Sequence, residues 1–305
     1  MAETNNVTNL RQAESVVKVC GLLSEKSLKV EQIDGVDTIL GSLTIKTSDV
    51  NFIRFPVRVA AKKKDKTDNS MYASFVTIMN EYKAIADKDV GEELADKIMV
   101  DTSKNRDGIN LYHDKQTGAS KFGFKTNFFN RVKNDKDYEP KAEFEIEVYI
   151  KSITPEMKKI GEDVEETGRM LVHGWVPTYN GIEQITLVAE DDVASAIEST
   201  FTAGQTVRFY GDIVNNRVET TVTIPMAIGK PKVEKRVEYK NDMLITGASE
   251  AYEEGITPFP PYDKAVIDKA IQERENKIAE EKAKSQNSST NSTPSAAALG
   301  RKLPF

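Results

Sequence analysis

The chain has 305 residues, enough for two domains of ordinary size, with 39% hydrophobic and 30% charged residues and a formal net charge of -6. One cysteine, Cys20, and two histidines, His113 and His173, argue against an internal disulfide and against a zinc site of the usual Cys/His kinds. No apolar window approaches the roughly 18–20 residues of a membrane helix, residues 1–12 lack the apolar core of a secretion signal and no glycine-rich phosphate loop is present, so the expectation is a soluble, cytoplasmic protein without a cofactor.

Taken in chain order, residues 15–60 alternate with period two. Val17 and Val19, then Ile39, Gly41, Leu43 and Ile45, place apolar or small residues at every second position. The next run is split cleanly between two faces. Ile53, Phe55, Val57 and Val59 form one, and Phe52, Arg54, Pro56 and Arg58 form the other. A lysine-rich loop follows at residues 62–66, and helical spacing over residues 72–86. Further strands are predicted at residues 97–100, 110–113 and 121–130. Residues 142–225 repeat the scheme. Phe144, Ile146, Val148 and Ile150 alternate with polar neighbours, and Met170, Val172, Gly174 and Val176 do the same. Asn180-Gly181 signals a hairpin, residues 191–200 a helix, and residues 207–213 a strand.

Beyond the breaker at residues 258–261, residues 262–284 read as a charged helix. The Ser/Thr/Asn-rich stretch after it reads as disordered and ends in Leu303-Pro304-Phe305. Three strands, a helix and two more strands is the order of an OB-fold barrel. The order occurs twice. The predicted fold is therefore mainly β, with two tandem OB-fold-like barrels; a generic α+β sandwich is the alternative. The boundaries are a flexible N-terminus (residues 1–14), a first barrel (15–141), a second (142–250), a linker and helix (251–284) and a disordered tail (285–305). Gly41 and Gly174 fit the tight bends that such barrels require.

Charge is unevenly spread. Residues 1–141 carry 23 Lys+Arg against 21 Asp+Glu, and residues 142–225 carry 6 against 15. A polyanion is expected to meet the first barrel. Two segments there interleave cations with aromatic rings, the pattern that single-stranded nucleic acid needs for phosphate neutralisation and base stacking. One comprises Phe52, Arg54 and Arg58 with Lys62, Lys63 and Lys64. The other comprises Lys121, Phe122, Phe124, Lys125, Phe128, Phe129, Arg131 and Lys133. Adjacent residues of a strand face opposite ways, so one of Phe128 and Phe129 is expected outside. Trp175, with His173, Tyr179, Arg208 and Tyr210, lies in the acidic block and reads as structural or as a protein contact. Glu162, Asp163, Glu165 and Glu166 read as an acidic loop, Tyr112 and His113 as ordinary edge residues. No catalytic constellation and no metal site is visible.

The tandem blocks, the low-complexity tail and the Leu303-Pro304-Phe305 ending together resemble single-stranded DNA-binding proteins, bacteriophage-encoded versions in particular. The resemblance implies sequence-independent covering of single-stranded DNA during replication or recombination. It also implies docking of replication or recombination proteins on Leu303, Pro304 and Phe305. Arg301 and Lys302 depart from the acidic residues that precede such tips. Homo-oligomerisation is left open. The competing expectation is an OB scaffold serving as a protein–protein adaptor or inhibitor.

Overall fold

The computed structural model describes residues 10–104, 108–160, 163–224, 226, 231–257 and 259–289. In chain order the elements are β1 (Ser15–Ile33), β2 (Val36–Lys46), β3 (Phe52–Ala60), α1 (Ser70–Glu81), α2 (Gly91–Leu94), β4 (Lys97–Asp101), β5 (Gly108–His113), β6 (Ser120–Lys125), β7 (Asn130–Arg131), β8 (Lys141–Ile160), β9 (Asp163–Thr178), β10 (Gly181–Ala189), α3 (Asp191–Thr200), β11 (Thr206–Ile224), β12 (Lys232–Ala248) and α4 (Lys264–Ser289). The protein is mainly β, as the alternation predicts.

The second half closes a five-stranded barrel. β8, β9 and β10 form an antiparallel meander, β10 meets β12 in parallel at Val188 and Leu244, β12 pairs with β11, and β11 returns to β8. With α3 between the third and fourth strands, this is the OB order. The first half starts the same way: β1, β2 and β3 form a meander, α1 follows, and β4 returns to β1. Its far wall differs. β5 and β6 form a separate hairpin that packs against β3 without a hydrogen-bonded ladder among the described residues. β3 is therefore an edge strand, and Pro56 sits in it, where a missing N–H costs nothing.

The two halves are not beads on a string. Ser15 to Cys20 of β1 pair with Lys141 to Ile146 of β8, so one ten-stranded sheet runs through both. The buried side chains form one cluster that includes Phe55, Phe75, Phe144 and Phe209. Burying each such ring stabilises by about 2–3 kcal/mol. A second tie is polar. The Asn51 side chain donates to the Ile213 carbonyl (2.9 Å) and accepts from the Asn215 N–H (2.7 Å), while the Asn215 side chain donates to the Phe52 carbonyl (2.7 Å).

Four local readings need correction. The helix expected over residues 72–86 occupies 70–81, capped by Asn69, because residues 85 and 86 donate instead to the carbonyls of Leu23 and Ser24. The strand expected over 121–130 stops at Lys125. There the Thr126 hydroxyl accepts from the Phe128 N–H (3.0 Å) and turns the chain. Of the expected acidic loop, Asp163, Glu165 and Glu166 lie at the start of β9, with Glu165 opposite Lys158 across the β8–β9 ladder, and Glu162 lies outside the described residues. α4 runs to Ser289, so the first residues assigned to the tail are helical; Leu303, Pro304 and Phe305 lie outside the described residues. Of the two glycines, Gly41 has φ +140° and lies where a Cβ would strike the Ser27 carbonyl. Gly174 instead leaves room for the Val148 side chain.

One buried charge ties the segment before β1 and the connection between β12 and α4 to the second barrel. Glu147 on β8 has no exposed side-chain surface. Its carboxylate accepts from Arg11 (2.7 Å), the Glu14 N–H (2.8 Å), Tyr252 (2.8 Å) and Tyr262 (3.3 Å). Burial alone would raise its pKa, but the donors from Arg11, Glu14 and Tyr252 outweigh it and hold the carboxyl below its ordinary value. Burial, followed by the contact with Glu147, pushes the Tyr252 hydroxyl up to about 12 and raises that of Tyr262 as well.

The signs follow from linkage. The Glu147 contribution is full above the ordinary carboxylate range and is lost as pH falls through its lowered pKa. The tyrosine contributions are full below about pH 10 and are lost as pH rises through the raised values. Thermal unfolding across pH should therefore show an acid limb and an alkaline limb. Glu147→Gln should flatten the acid limb and cost about 3 kcal/mol at neutral pH, since it breaks a buried ion pair. An unchanged acid limb would place the acid sensitivity elsewhere.

Candidate nucleic-acid interface

The outward face of β3 presents Phe52, Arg54, Pro56 and Arg58, while Ile53, Phe55, Val57 and Val59 are buried. Arg54 opens into a cleft of about 440 Å³ between β3, the β5–β6 hairpin and the β11–β12 ladder. Lys121, Phe122 and Tyr112 line the hairpin side, and Asn215, Asn241 and Asp242 line the opposite wall. Tyr112 and Lys121 are cross-strand partners, so the ring and the cation share one face of the hairpin. Tyr112 is 45% exposed. Arg54 and Arg58 have no ion-pair partner among the described residues. Lys121 is exposed but paired with Asp114 at 2.8 Å. That lysine, with hydrogen bonds from Thr117 and Gln116, holds the Asp114 carboxyl well below the usual range, and the lysine is raised in turn. Asp242, the one acid in the cleft, is matched by Arg169 at 2.5 Å and by Lys240 at 3.6 Å.

The hairpin is held in place from behind. His113 Nδ1 lies 2.8 Å from Glu183 on β10, and His113 Nε2 lies 3.2 Å from Glu281 on α4. Arg274 of α4 donates to Glu183 (2.8 Å) and to the Ser120 hydroxyl (2.9 Å). Trp175 is buried beneath this clip, with the cations of Lys151 and Arg274 within 5.3 Å and 5.7 Å of its ring centroid.

The remaining sequence candidates divide. Lys62 is paired with Asp68 at 2.5 Å, which lowers the Asp68 carboxyl. Lys63 and Lys64 stand exposed on the same loop, beyond the end of β3 that carries Arg58. Lys125 and Lys133 are exposed, Lys125 beside a second, smaller cleft that includes Tyr179. Phe128 is 39% exposed. Phe124 and Phe129 are core residues and offer no stacking face. After the Thr126 turn, the Phe129 ring meets Phe55 and Phe75 edge-on, at 5.5 and 5.9 Å between centroids. Phe122 is half-buried against Phe124. Arg131 is spent on the fold: it donates to Asp96 (3.0 Å) and to the Glu81 carbonyl, and its guanidinium lies 4.1 Å from the Tyr82 ring centroid. Tyr112, Asn215 and Asn241 were not among the candidates. The two neighbouring asparagines at 215 and 216 were the available signal, since asparagine is depleted from strands.

A family model described as YorF matches residues 14–284. The chain belongs to the YorF family. No curated protein matches this YorF-family chain in sequence. Among solved structures it is similar to the wild-type single-stranded DNA binding protein from Thermus aquaticus, at 9% identity and a TM-score of 0.47, over 82% of this chain and 98% of that one. A deletion mutant of the Thermus aquaticus protein matches at 11% identity and a TM-score of 0.45, over 83% and 100%. No helix among the described residues is long and apolar enough to cross a membrane, and no cluster of three His, Cys, Asp or Glu there is placed to hold a metal ion.

The division between core and surface rings is directly measurable. Phe129→Ala should cost about 3–5 kcal/mol in denaturant unfolding, as buried phenylalanines do. Phe128→Ala should cost under about 1 kcal/mol. Equal losses would mean that the turn at Thr126 does not sort the two rings.

Proposed function

We propose that the protein binds single-stranded DNA, without catalysis, along the outward face of β3 and through the cleft between the hairpin and β11–β12. The observation that carries this reading is Arg54, an arginine without an ion-pair partner among the described residues, opening into a cleft that also holds Lys121, Tyr112 and Phe122. Cations neutralise phosphates, and an exposed ring next to them gives a base a surface to stack on whatever its identity. Arg58 and the Lys63–Lys64 loop extend the basic path beyond the cleft. The role is that of a covering protein for strands exposed in replication or recombination, acting in the cytoplasm, as in the bacteriophage proteins that the sequence resembles. Asn215 and Asn241 bring the acidic half into the site. Their amides add hydrogen bonds without adding charge.

The test is binding of a fluorescent oligothymidylate across a salt series. Joint replacement Arg54→Ala and Arg58→Ala should reduce the salt slope by about 1.4, at roughly 0.7 per single-strand phosphate contact. Tyr112→Ala should weaken binding about tenfold or more, within the range for one stacked base, with little change in slope. No binding by the unaltered protein at low salt would remove the reading. An unchanged slope in the double variant would move the path off β3.

A further inference from the structure

The second barrel carries an apolar groove that shares no lining residue with the cleft described above. It lies between α3 and the end of β12, has a volume of about 530 Å³, and is floored by Val193, Ile197, Phe201, Ile245 and Ala251. α3 creates it by turning Ala194 and Ile197 inward while Ala196 and Thr200 stay exposed along the lip. After Ile245 the chain stays on β11, with Gly247 and Ala248 opposite Tyr210 and Phe209, then the Ser249 N–H on the Arg208 carbonyl and the Tyr252 N–H on the Thr206 carbonyl (2.8 Å each). This stretch forms one wall of the groove, in which Ile197, Phe201 and Ile245 are buried and Val193 and Ala251 half-buried. The rim is acidic. Asp191, Asp192 and Glu250 are exposed, and none has an ion-pair partner among the described residues.

The same chain contains a segment with the opposite chemistry. Between residues 290 and 305 the only charged side chains are those of Arg301 and Lys302, and they adjoin Leu303-Pro304-Phe305. Pro304 fixes its own φ and restricts Leu303 before it, which lowers the entropy lost at these two positions on docking. Reach is sufficient. α4 is about 39 Å long at 1.5 Å per residue, and the residues between Ser289 and Leu303 span up to about 45 Å when extended. The chain can therefore return along the whole of α4. The start of α4 lies beside the groove, because Tyr262 just before it and Tyr252 just after Ala251 both donate to Thr206.

We infer that Leu303 and Phe305 occupy the α3–β12 groove of their own chain, with Arg301 and Lys302 against Asp191, Asp192 and Glu250. Apolar burial supplies the affinity and the charge pairing sets the direction in which the segment lies. This replaces a partner protein, as the first occupant of these residues, by the second barrel itself.

The test uses a fluorescent peptide of residues 295–305 and the full-length chain, and does not involve DNA. In a full-length variant with Leu303→Ser and Phe305→Ser the groove is vacant, and the peptide should bind at least tenfold more tightly than it binds the unaltered chain. Adding Ala196→Glu, an exposed helix position, should abolish that binding while circular dichroism and melting temperature stay unchanged. Raising the salt concentration should weaken it. The inference is overturned if the peptide does not bind the vacated variant, if Ala196→Glu leaves binding intact, or if both chains bind the peptide equally. It is also overturned if light scattering shows a mass that rises with concentration in the unaltered chain and not in the vacated variant. That result would place the segment in a second copy.

Discussion

A carboxylate taken out of water must be matched by donors or it does not stay ionised, and at Glu147 the donors come from two segments far apart in the chain. Arg11 and the Glu14 backbone arrive from before β1, and Tyr252 and Tyr262 from the connection between β12 and α4. Fixing residues 252 and 262 sets where α4 begins. α4 in turn reaches the β5–β6 hairpin through Arg274 and Glu281, and the hairpin carries Tyr112, Lys121 and Phe122 into the cleft. The position of the surface groups thus traces back to one buried charge on β8.

The cleft exists because the first barrel is not closed by hydrogen bonds on its β3 side. An edge strand in a sheet of ten needs protection from pairing with other chains. β3 has it in Pro56, in two outward arginines and in the hairpin packed beside it. What blunts the edge also makes it basic. The asparagine lock between residue 51 and residues 213–215 then fixes the opposite wall.

Much of this was legible from residue order. Period-two alternation located β3 and assigned its two faces correctly, because a strand buried on one side leaves no freedom in which residues turn inward. The OB order of the second half was likewise present in the spacing of strands, turn and helix. The segment from Lys121 to Lys133 misled, and for local reasons. A threonine hydroxyl ended the strand at Lys125, which sent Phe129 inward, and Asp96 with Tyr82 captured Arg131. Neither event has a signature in alternation. Tyr112 looked ordinary because its importance depends on a cross-strand neighbour, and Asn215 and Asn241 because theirs depends on residues more than a hundred positions away. The pairing of β1 with β8 was invisible for the same reason: a composition boundary near residue 141 marks a change in charge and does not mark a break in the sheet.

That pairing has a consequence for how the protein is made. The first residues of β1 find their partners on β8 about 120–130 positions downstream. At synthesis rates of about 5–20 residues per second, one edge of β1 waits on the order of ten seconds for the strand that covers it. Contacts of such sequence separation also slow the search for the native topology. In that interval β1 presents Val17 and Val19 on an unpaired edge, and the nascent chain is most open to mispairing before any of the second barrel has been translated.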